Sequence, residues 1–404
     1  MEHLNHLHPE QHTLGYSYIL AALIPIHPLP ANQVNPLSPR EWHNYALRLA
    51  NVGTSEQLRL APEKFVLVMQ AMVSISEAGG EPLVLVRPLQ LAVAKLSAGS
   101  QTITALHADL FKQCLRSKFY NAALPFLDFQ PESVEPSKTG LTVRSFLLFC
   151  YYGAMIHIGR RQYDKALRLL LYALTAPTMV VNGITIAAHK KFVLVSIIHS
   201  GALQNLPKFT SASVTRASKI DNGPYLDLAA ACKDDTQWTR LLTQHQALFQ
   251  QDGNLGLVLL ATESRIKFRI QRLTQTYLTL SLQDIALHAG LAGGPAEAEL
   301  RILRMIESQE IFAEIDEAAG MVRFVEDPQQ YDGADVAHIL DEQIQRAKEL
   351  ASKLQAVHCE VACDKAFHSK AAAGKERHGR APAFEDPGDF MTAEPMSYGN
   401  PLMP

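Results

Sequence analysis

Charged residues are scarce in this sequence. They make up 19% of its 404 residues, below the roughly 25% that is typical of a soluble domain. Hydrophobic residues make up 47%. Few charged and many hydrophobic residues together favour a protein whose surface is partly covered by neighbouring proteins. The formal net charge of -3 at pH 7 lacks the basic excess with which proteins bind phosphate backbones. Nucleic acid is therefore not an obvious partner.

Cysteine is also sparse, and the few residues are spread widely: Cys114, Cys150, Cys232, Cys359 and Cys363. An odd number at such spacing is not typical of the disulfide framework of a small secreted domain. We therefore expect a reducing compartment and a soluble, intracellular protein.

The longest apolar run near the start of the chain is too short to span a bilayer. It covers residues 14–26, whereas a membrane helix needs roughly 20 apolar residues. It also lacks the positive residues that open a secretory signal, because the first Lys or Arg is Arg40. The run predicts a buried helix, and a signal peptide is the alternative.

A catalytic metal motif is not found either. His6 and His8 form a His-x-His pair in a segment that also holds His3 and His12. A zinc isopeptidase of the JAMM type requires Ser and Asp at fixed spacing after such a pair, but positions 16 and 19 hold Tyr and Ile. His-Glu-x-x-His does not occur. We interpret the cluster as solvated residues.

A second possible zinc set is His358, Cys359, Cys363 and His368. The two cysteines lie one turn apart near the end of a predicted helix, with no second ligand pair held by a knuckle turn. Chance composition is the favoured interpretation. The sequence therefore predicts no catalytic residue, no cofactor and no metal.

An internal repeat is the first positive signal. Residues 106–127 match residues 149–170 at a constant offset, so that Tyr120 aligns with Tyr163 and Ala123 with Ala166. Both pairs lie on the predicted second helix of a helix-turn-helix unit, where a small Ala allows close helix approach. Such units stack into a solenoid because none buries its apolar face alone. Two unrelated hairpins are the alternative. Apolar helices over 192–198 and 226–231 extend the array.

Residues 265–326 predict a different unit. A helix over 265–278 leads into a short apolar strand, and Ser281 with Asp284 forms a capping box that starts a second helix at Leu282. That helix ends near Gly290. Pro295 suits the first turn of a third helix that runs to about Gln309.

Apolar residues then alternate on both sides of a turn between Asp316 and Gly320, which predicts a hairpin. Helix, strand, helix, helix, hairpin is the element order of a winged helix. Because unpaired strand edges recruit further strands, we expect the hairpin to face neighbouring subunits. The candidate interface residues there are Ile311, Phe312, Val322 and Phe324.

A long helix is predicted from Asp332 to about Val357. Its apolar seam consists of Ala337, Leu340, Ile344, Ala347, Ala351 and Leu354, and its opposite face is charged. A seam over fewer than three heptads favours a helix that packs in a bundle over a free coiled coil. A helix folded back on its own domain is the alternative. Beyond Lys370 the composition predicts a disordered tail.

A winged helix is also a DNA-binding shape, so nucleic-acid binding is the competing hypothesis. The recognition-helix position, residues 297–309, carries Arg301 and Arg304 among three glutamates. A helix in the major groove needs basic residues toward phosphates and polar ones toward bases. The one basic run comprises Arg265, Lys267, Arg269 and Arg272, and we interpret it as a solvated or partner-facing surface.

The predicted fold is mainly α: a right-handed solenoid of TPR-like helical repeats leads into a winged-helix subdomain and a C-terminal bundle helix. We place the repeats in residues 1–260 and the winged helix in 261–328. The assembly helix covers 329–364, and the disordered tail covers 365–404.

The order of repeats and winged helix resembles the PCI domain of the proteasome lid, the COP9 signalosome and a translation initiation factor. A closer similarity is carried by short motifs: RIQRLT at 269–274, YLTLSLQD at 277–284, MIE at 305–307, EIFA at 310–313, GMV at 320–322, LPKFTS at 206–211, NLGLV at 254–258, ALPFLD at 123–128 and YYG at 151–153. In these motifs the chain resembles the signalosome subunit 3 branch of the PCI family.

The resemblance implies a non-catalytic scaffold in an assembly that removes NEDD8 from cullin-RING ubiquitin ligases, with catalysis in another subunit. It implies signalosome subunits as partners, with subunits 1 and 8 as neighbours, contact with cullin-RING ligases through the complex, and no direct nucleic acid or membrane. Nucleus and cytoplasm are the expected locations. A scaffold subunit of the proteasome lid or of a translation initiation factor is the alternative.

Overall fold

The computed structural model describes residues 7–24, 39–77, 82–97, 102–127, 139–177, 180–291, 293–316, 319–325 and 334–370. Its first part is a series of packed helices: α1 (Thr13–Ala22), α2 (Pro39–Val52), α3 (Ser55–Leu60), α4 (Pro62–Glu77) and α5 (Pro82–Leu96). Their apolar faces form one continuous core with the helices that follow. His3 and His6 of the N-terminal cluster lie outside the described residues.

Helix α1 covers most of the predicted apolar run, starting one residue before it, and is buried on one side as expected. Tyr16 and Leu20 are fully covered by neighbouring helices. The Thr13 hydroxyl donates to the carbonyl of Pro9 at 2.6 Å and accepts from the backbone N–H of Thr54 at 3.0 Å, which ties α1 to the start of α3. No helix among the described residues is long and apolar enough to cross a membrane.

The internal repeat is confirmed at the level of individual hydrogen bonds. Helices α6 (Leu106–Arg116) and α7 (Val143–Gly159) are each followed, two residues after their last residue, by a residue with left-handed backbone. These residues are Lys118 with φ 55° and Arg161 with φ 60°. In each turn the next backbone N–H returns to a helical carbonyl five residues earlier, from Phe119 at 3.0 Å and from Gln162 at 2.9 Å. This is the Schellman geometry. Equivalent residues of the two repeats therefore make the same turn.

The second members of the two pairs differ. Tyr163–Thr175 forms an α-helix, α8, whereas Tyr120–Phe126 is a 3-10 helix, which corrects the predicted α-helix. Pro125 explains the difference, because proline has no N–H to donate to a helical ladder. Ala123 and Ala166 are nevertheless both fully buried, so the close approach predicted for small residues is retained.

Four further helices and a 3-10 turn (Ala231–Lys233) follow: α9 (Gly183–Ser200), α10 (Ala212–Asp221), α11 (Gly223–Ala230) and α12 (Asp235–Gln251). Helix α9 is apolar around most of its circumference, as expected of a helix covered on all sides. Phe192 and Val195 belong to the core of the preceding repeats, whereas Val193 and Ile197 belong to a second core with α11 and α12. Helix α9 thus joins two cores.

The winged helix is confirmed, with one correction at its start. It consists of α13 (Leu255–Thr276), β1 (Thr279–Ser281), α14 (Leu282–Ala289), α15 (Gly294–Glu307), β2 (Ala313–Asp316) and β3 (Met321–Phe324). Helix α13 begins ten residues before the predicted Arg265, because its first turns pack on the second core. Val258 packs in the second core and Ile270 in the winged-helix core. One helix therefore links the two cores.

The local signals of the winged helix act as predicted. The Ser281 side chain accepts from the backbone N–H of Asp284 at 3.1 Å, and Gly290 ends α14 with φ 72°. The sheet has the order β1-β3-β2 and is antiparallel. Val322 in the central strand lies opposite both Leu280 and Ile315.

The C-terminal unit contains α16 (Ala334–Cys363), a single helix of 30 residues that extends beyond the predicted end at Val357. Residues 365–370 are also helical, and the remainder of the predicted disordered tail lies outside the described residues.

Candidate assembly surfaces

The hairpin of the winged helix holds four of the candidate interface residues, and three are buried in the chain itself. Ile311, Val322 and Phe324 belong to the winged-helix core, with Val322 completely covered. Only Phe312 is partly exposed. Val322 and Phe324 alternate toward the core from the central strand β3, and Ile311 packs into the same core from the segment before β2. We therefore correct the assignment of these three side chains as partner contacts. They hold the hairpin in place.

The part of the hairpin that is available to a neighbouring protein is its edge strand, β2. Strand β2 pairs with β3 on one side only, and the backbone N–H of Val325 extends that pairing to the carbonyl of Phe312 at 2.9 Å. Glu314 and Asp316 on β2 are exposed. An edge strand can receive a further strand, and its acidic side chains oppose phosphate.

The predicted basic run is largely engaged within the chain, which corrects its interpretation as a solvated surface. Arg265 donates to Asp235 at 2.9 Å and lies over the Trp238 ring at 4.2 Å. Arg269 donates to the same carboxylate at 2.6 Å and to the carbonyl of Ala289 at 3.2 Å. The hydrogen bond from Arg269 holds the pKa of Asp235 below its ordinary value. This cluster connects α12, α13 and α14.

Two other members of the run complete the pattern. Lys267 pairs with Glu310 at 2.6 Å, at the end of α15, while Arg272 is exposed. Three of the four cations therefore position the winged helix, and they are not displayed for phosphate contacts.

The recognition helix α15 presents leucines outward. Leu300 is 49% exposed and Leu303 is 45% exposed, whereas Arg301 approaches Glu297 at 3.5 Å within the same helix. Arg304 is exposed. An outer face with two leucines and a partly neutralised arginine favours a protein partner over a nucleic-acid groove.

Sequence reasoning missed a buried polar network between the repeats and the winged helix. Lys191 on α9 is 7% exposed and donates to Asn254 at 2.8 Å. Asn254 in turn donates to the Tyr225 hydroxyl at 3.0 Å, and Tyr225 donates to Asp252 at 2.7 Å. Lys190 reaches the same carboxylate at 2.8 Å. The network joins α9 and α11 to the loop that starts α13.

The electrostatics of this network follow from burial. Burial lowers the pKa of Lys191. Burial alone would raise the pKa of Asp252, but hydrogen bonds from Lys190 and Tyr225 lower it overall. A pair of adjacent lysines has the appearance of a surface feature in a sequence, so no local signal could have revealed this site.

The seam of α16 is exposed. Leu340 is 60%, Ile344 44% and Leu354 71% exposed, and Ala347 and Ala351 are exposed between them. Large apolar side chains on one stripe of a helix are covered in a stable assembly, because each contributes about 1.5 to 3 kcal/mol when it is removed from water.

The apolar stripe is wider than predicted. Val336, Leu350 and Val357 are also exposed and share a heptad position that flanks Leu340, Ala347 and Leu354 on the other side. Val361, also exposed, continues the heptad position of Leu340, Ala347 and Leu354 by one turn of the repeat. The same seven-residue spacing would have revealed them. A stripe that covers both flanks is typical of a helix with more than one neighbour, as in a bundle.

Groups that could perform redox or metal chemistry are not assembled in the described part of the chain. No cluster of three or more His, Cys, Asp or Glu among those residues is placed to hold a metal ion. Cys359 and Cys363 are exposed on α16, while Cys114 and Cys150 are buried. Burial raises the pKa of the Cys114 thiol to about 11, which disfavours the reactive thiolate.

Comparisons with known proteins agree with this geometry. Residues 1–214 match a family described as the N-terminal helical repeats of COP9 signalosome complex subunit 3, and residues 242–326 match the PCI domain. The chain is 38% identical over 382 residues to an Arabidopsis thaliana protein named COP9 signalosome complex subunit 3, covering 93% of this chain and 85% of that protein. It is 31% identical over 336 residues to the Dictyostelium discoideum protein of the same name, covering 82% and 80%.

Proposed function

The chain belongs to the family of COP9 signalosome complex subunit 3, and from this premise we propose that it is a non-catalytic scaffold subunit of a COP9 signalosome. In this role it supports removal of NEDD8 from cullin-RING ubiquitin ligases by holding other subunits in place. Exposed apolar surfaces on the described residues support this role.

The observation that carries the proposal is the exposed apolar stripe of α16. A 30-residue helix with a charged face and a wide apolar stripe is suited to a bundle built from several chains. We propose that the C-terminal helices of other subunits cover Leu340, Ile344, Ala347, Ala351 and Leu354.

The winged helix supplies the second surface. The edge of β2, with Phe312 beside it, is proposed to pair with the winged helix of a neighbour. Subunits 1 and 8 are the proposed neighbours, and contact with cullin-RING ligases is made through the complex. The complex is proposed to act in nucleus and cytoplasm. We also propose that repeats occupy residues 1–260, the winged helix 261–328 and the assembly helix 329–364.

The proposal is tested by exchanging two leucines of the seam in the tagged, full-length chain expressed in its own cells. Leu340→Asp with Leu354→Asp places two carboxylates on the stripe, where each adds a desolvation cost of several kcal/mol to the lost apolar burial. The partners identified by mass spectrometry are expected to be signalosome subunits for the wild type, and to be lost for the double variant.

A matched control places the same charge on the polar face. Gln345→Asp with Ser352→Asp is expected to retain all partners. Thermal melting of the isolated chain separates assembly from folding. If the seam variant keeps its partners, the stripe contributes no assembly energy; if the wild type recovers no signalosome subunit, the proposed complex is wrong.

A further inference from the structure

The helical repeats enclose a groove that the assembly surfaces do not use. It lies between α4, α6 and α7 and has a volume of about 790 Å³, within the range of roughly 300 to 1,000 Å³ that is typical of ligand pockets. Its apolar lining consists of Val66, Val73, Ala105, Ala108, Leu141 and Leu148. Leu67 lies on its rim and is 47% exposed.

One of the carboxylates at the groove is fully engaged. Glu77 accepts from Lys112 at 3.0 Å and from Gln113 at 2.6 Å, and it lies 3.1 Å from Arg116. Burial would raise the pKa of Glu77, but the hydrogen bonds from Lys112 and Gln113 lower it overall. Glu77, Lys112 and Arg116 therefore form an ion-pair cluster within the chain, with one net positive charge.

Asp109 is different. It is partly buried and lines the same groove, and its carboxylate accepts one hydrogen bond, from the Gln70 amide at 3.2 Å. None of the described cations lies within ion-pair distance of it. Burial raises the pKa of Asp109, and Lys112 and Arg144, which also line the groove, offset this rise only in part. A carboxylate that is partly removed from water with no cation in contact is stabilised by a cation that enters beside it.

We propose that this groove binds an extended segment of a partner protein that carries a lysine or arginine, whose cation pairs with Asp109. The alkyl part of that side chain would pack on the apolar lining, as long cationic side chains do when their charged ends reach a polar group. Gln70 holds the carboxylate in position for the incoming cation. Exposed Glu63 and exposed Arg144 both line the groove, so the cation of the segment is selected by Asp109 and not by the net charge of the entrance.

A protein segment fits better than a free polyamine for two reasons. The groove is bounded by three helices and has room for several residues, and its lining is mixed, with apolar side chains on which neighbouring residues of a segment can pack. A polyamine would leave most of that apolar lining without a partner. The inference goes beyond the proposed scaffold role and does not depend on which complex the chain joins.

The test uses pools of fluorescein-labelled nonapeptides whose central residue is Lys, Arg, norleucine or Glu and whose other positions are random. Binding to the purified full-length chain is measured by fluorescence polarisation. Lys and Arg pools are expected to bind about tenfold more tightly than the norleucine pool, because a charged hydrogen bond in a partly buried site contributes at least that factor.

Asp109→Asn should remove this preference while keeping the shape of the side chain and its position beside Gln70. The control Asp227→Asn, at an exposed carboxylate on α11, should leave it unchanged. Leu67→Arg obstructs the rim without altering the core and should weaken binding of every pool, which keeps the test decisive if Asp109→Asn folds poorly. Thermal melts identify misfolded variants.

Three outcomes would overturn the inference. The Lys and Arg pools could bind no more tightly than norleucine, the preference could survive Asp109→Asn, or spermidine at the peptide concentration could displace the bound peptide completely. The test measures peptide binding by the isolated chain, whereas the scaffold proposal is tested by co-purification of partners. Either proposal can therefore fail while the other holds.

Discussion

Acid should destabilise this protein at a pH where its carboxylates are still ionised, because two histidines are buried in the neutral form. His107 on α6 is 1% exposed, and its ring centroid lies 6.1 Å from that of Phe111 and 5.8 Å from that of Phe149. Its Nδ1 lies 3.0 Å from the backbone nitrogen and 2.9 Å from the hydroxyl of Thr104. Burial lowers the pKa of His107 from 6.5 to about 4.

His189 on α9 is in a similar position. It is 4% exposed, its Nδ1 lies 2.9 Å from the Asn222 amide, and burial lowers its pKa from 6.5 to about 4. In the unfolded chain both imidazoles take up a proton near pH 6.5, whereas in the folded chain they stay neutral to about pH 4. The free energy of unfolding therefore falls as the pH is lowered through this window, and is constant above it.

The magnitude follows from the width of the window. At pH 5 an unfolded imidazole with pKa 6.5 is fully charged and a folded one with a pKa of about 4 is still mostly neutral, so each histidine destabilises the fold by about 2 kcal/mol relative to pH 8. Asp109 acts in the opposite direction, because burial raises its pKa and its protonation in the folded state adds stability as the pH falls. Asp235 and Asp252, whose pKa values are lowered, lose their contributions only in stronger acid.

Urea unfolding followed by circular dichroism at pH 8, 6.5 and 5 measures this dependence on the isolated chain. His107→Leu should remove about half of the difference between pH 8 and pH 5 whatever its effect on absolute stability, and the double variant with His189→Leu should remove most of it. His338→Gln, at an exposed position on α16, is the control. If the double variant keeps the full difference, the two histidines are not the acid-sensitive groups and the reasoning is refuted.

Three further predictions concern other parts of the chain. Asn254→Leu removes the acceptor of the buried Lys191 ammonium and should lower the free energy of unfolding by about 1 to 3 kcal/mol in urea titrations. Adding Lys191→Met should recover part of that loss, and strictly additive effects of the two substitutions would contradict the coupling. Arg304→Glu on the exposed face of α15 should leave co-purification of partners unchanged, and loss of a sequence-specific DNA complex instead would favour the nucleic-acid hypothesis. Metal analysis of the purified chain should find no stoichiometric zinc; one zinc per chain that vanishes on replacing Cys359 with Ser would contradict the assignment of that segment.

The parts of the fold that could be predicted are those with local signals. Ser281, Gly290 and Pro295 act on their own turn of backbone, so capping, termination and initiation are visible within a few residues of sequence. The repeat was visible because stacked units impose the same residue types at the same offset. The apolar seam of α16 followed from its heptad spacing, although its second flank was missed.

The parts that could not be predicted depend on residues far apart in the sequence. Ile311, Val322 and Phe324 were expected at a partner's surface, but they pack into the chain's own core. Val322 and Phe324 reach it from the central strand β3, and Ile311 reaches it from the segment before β2. The start of α13 was misplaced because its first turns pack on a core formed by earlier helices.

The sequence by itself determined the element order, the turn chemistry of the winged helix and the family, since these reside in neighbouring residues and short motifs. Only the tertiary structure decided which charges are free. Arg265 and Arg269 converge on Asp235 some thirty residues away, and Lys191 donates to Asn254 across 63 positions. Asp109, in contrast, accepts a hydrogen bond from the Gln70 amide, and none of the described cations forms an ion pair with it. The energy of an ion depends on what surrounds it after folding, and a linear pattern does not contain that information.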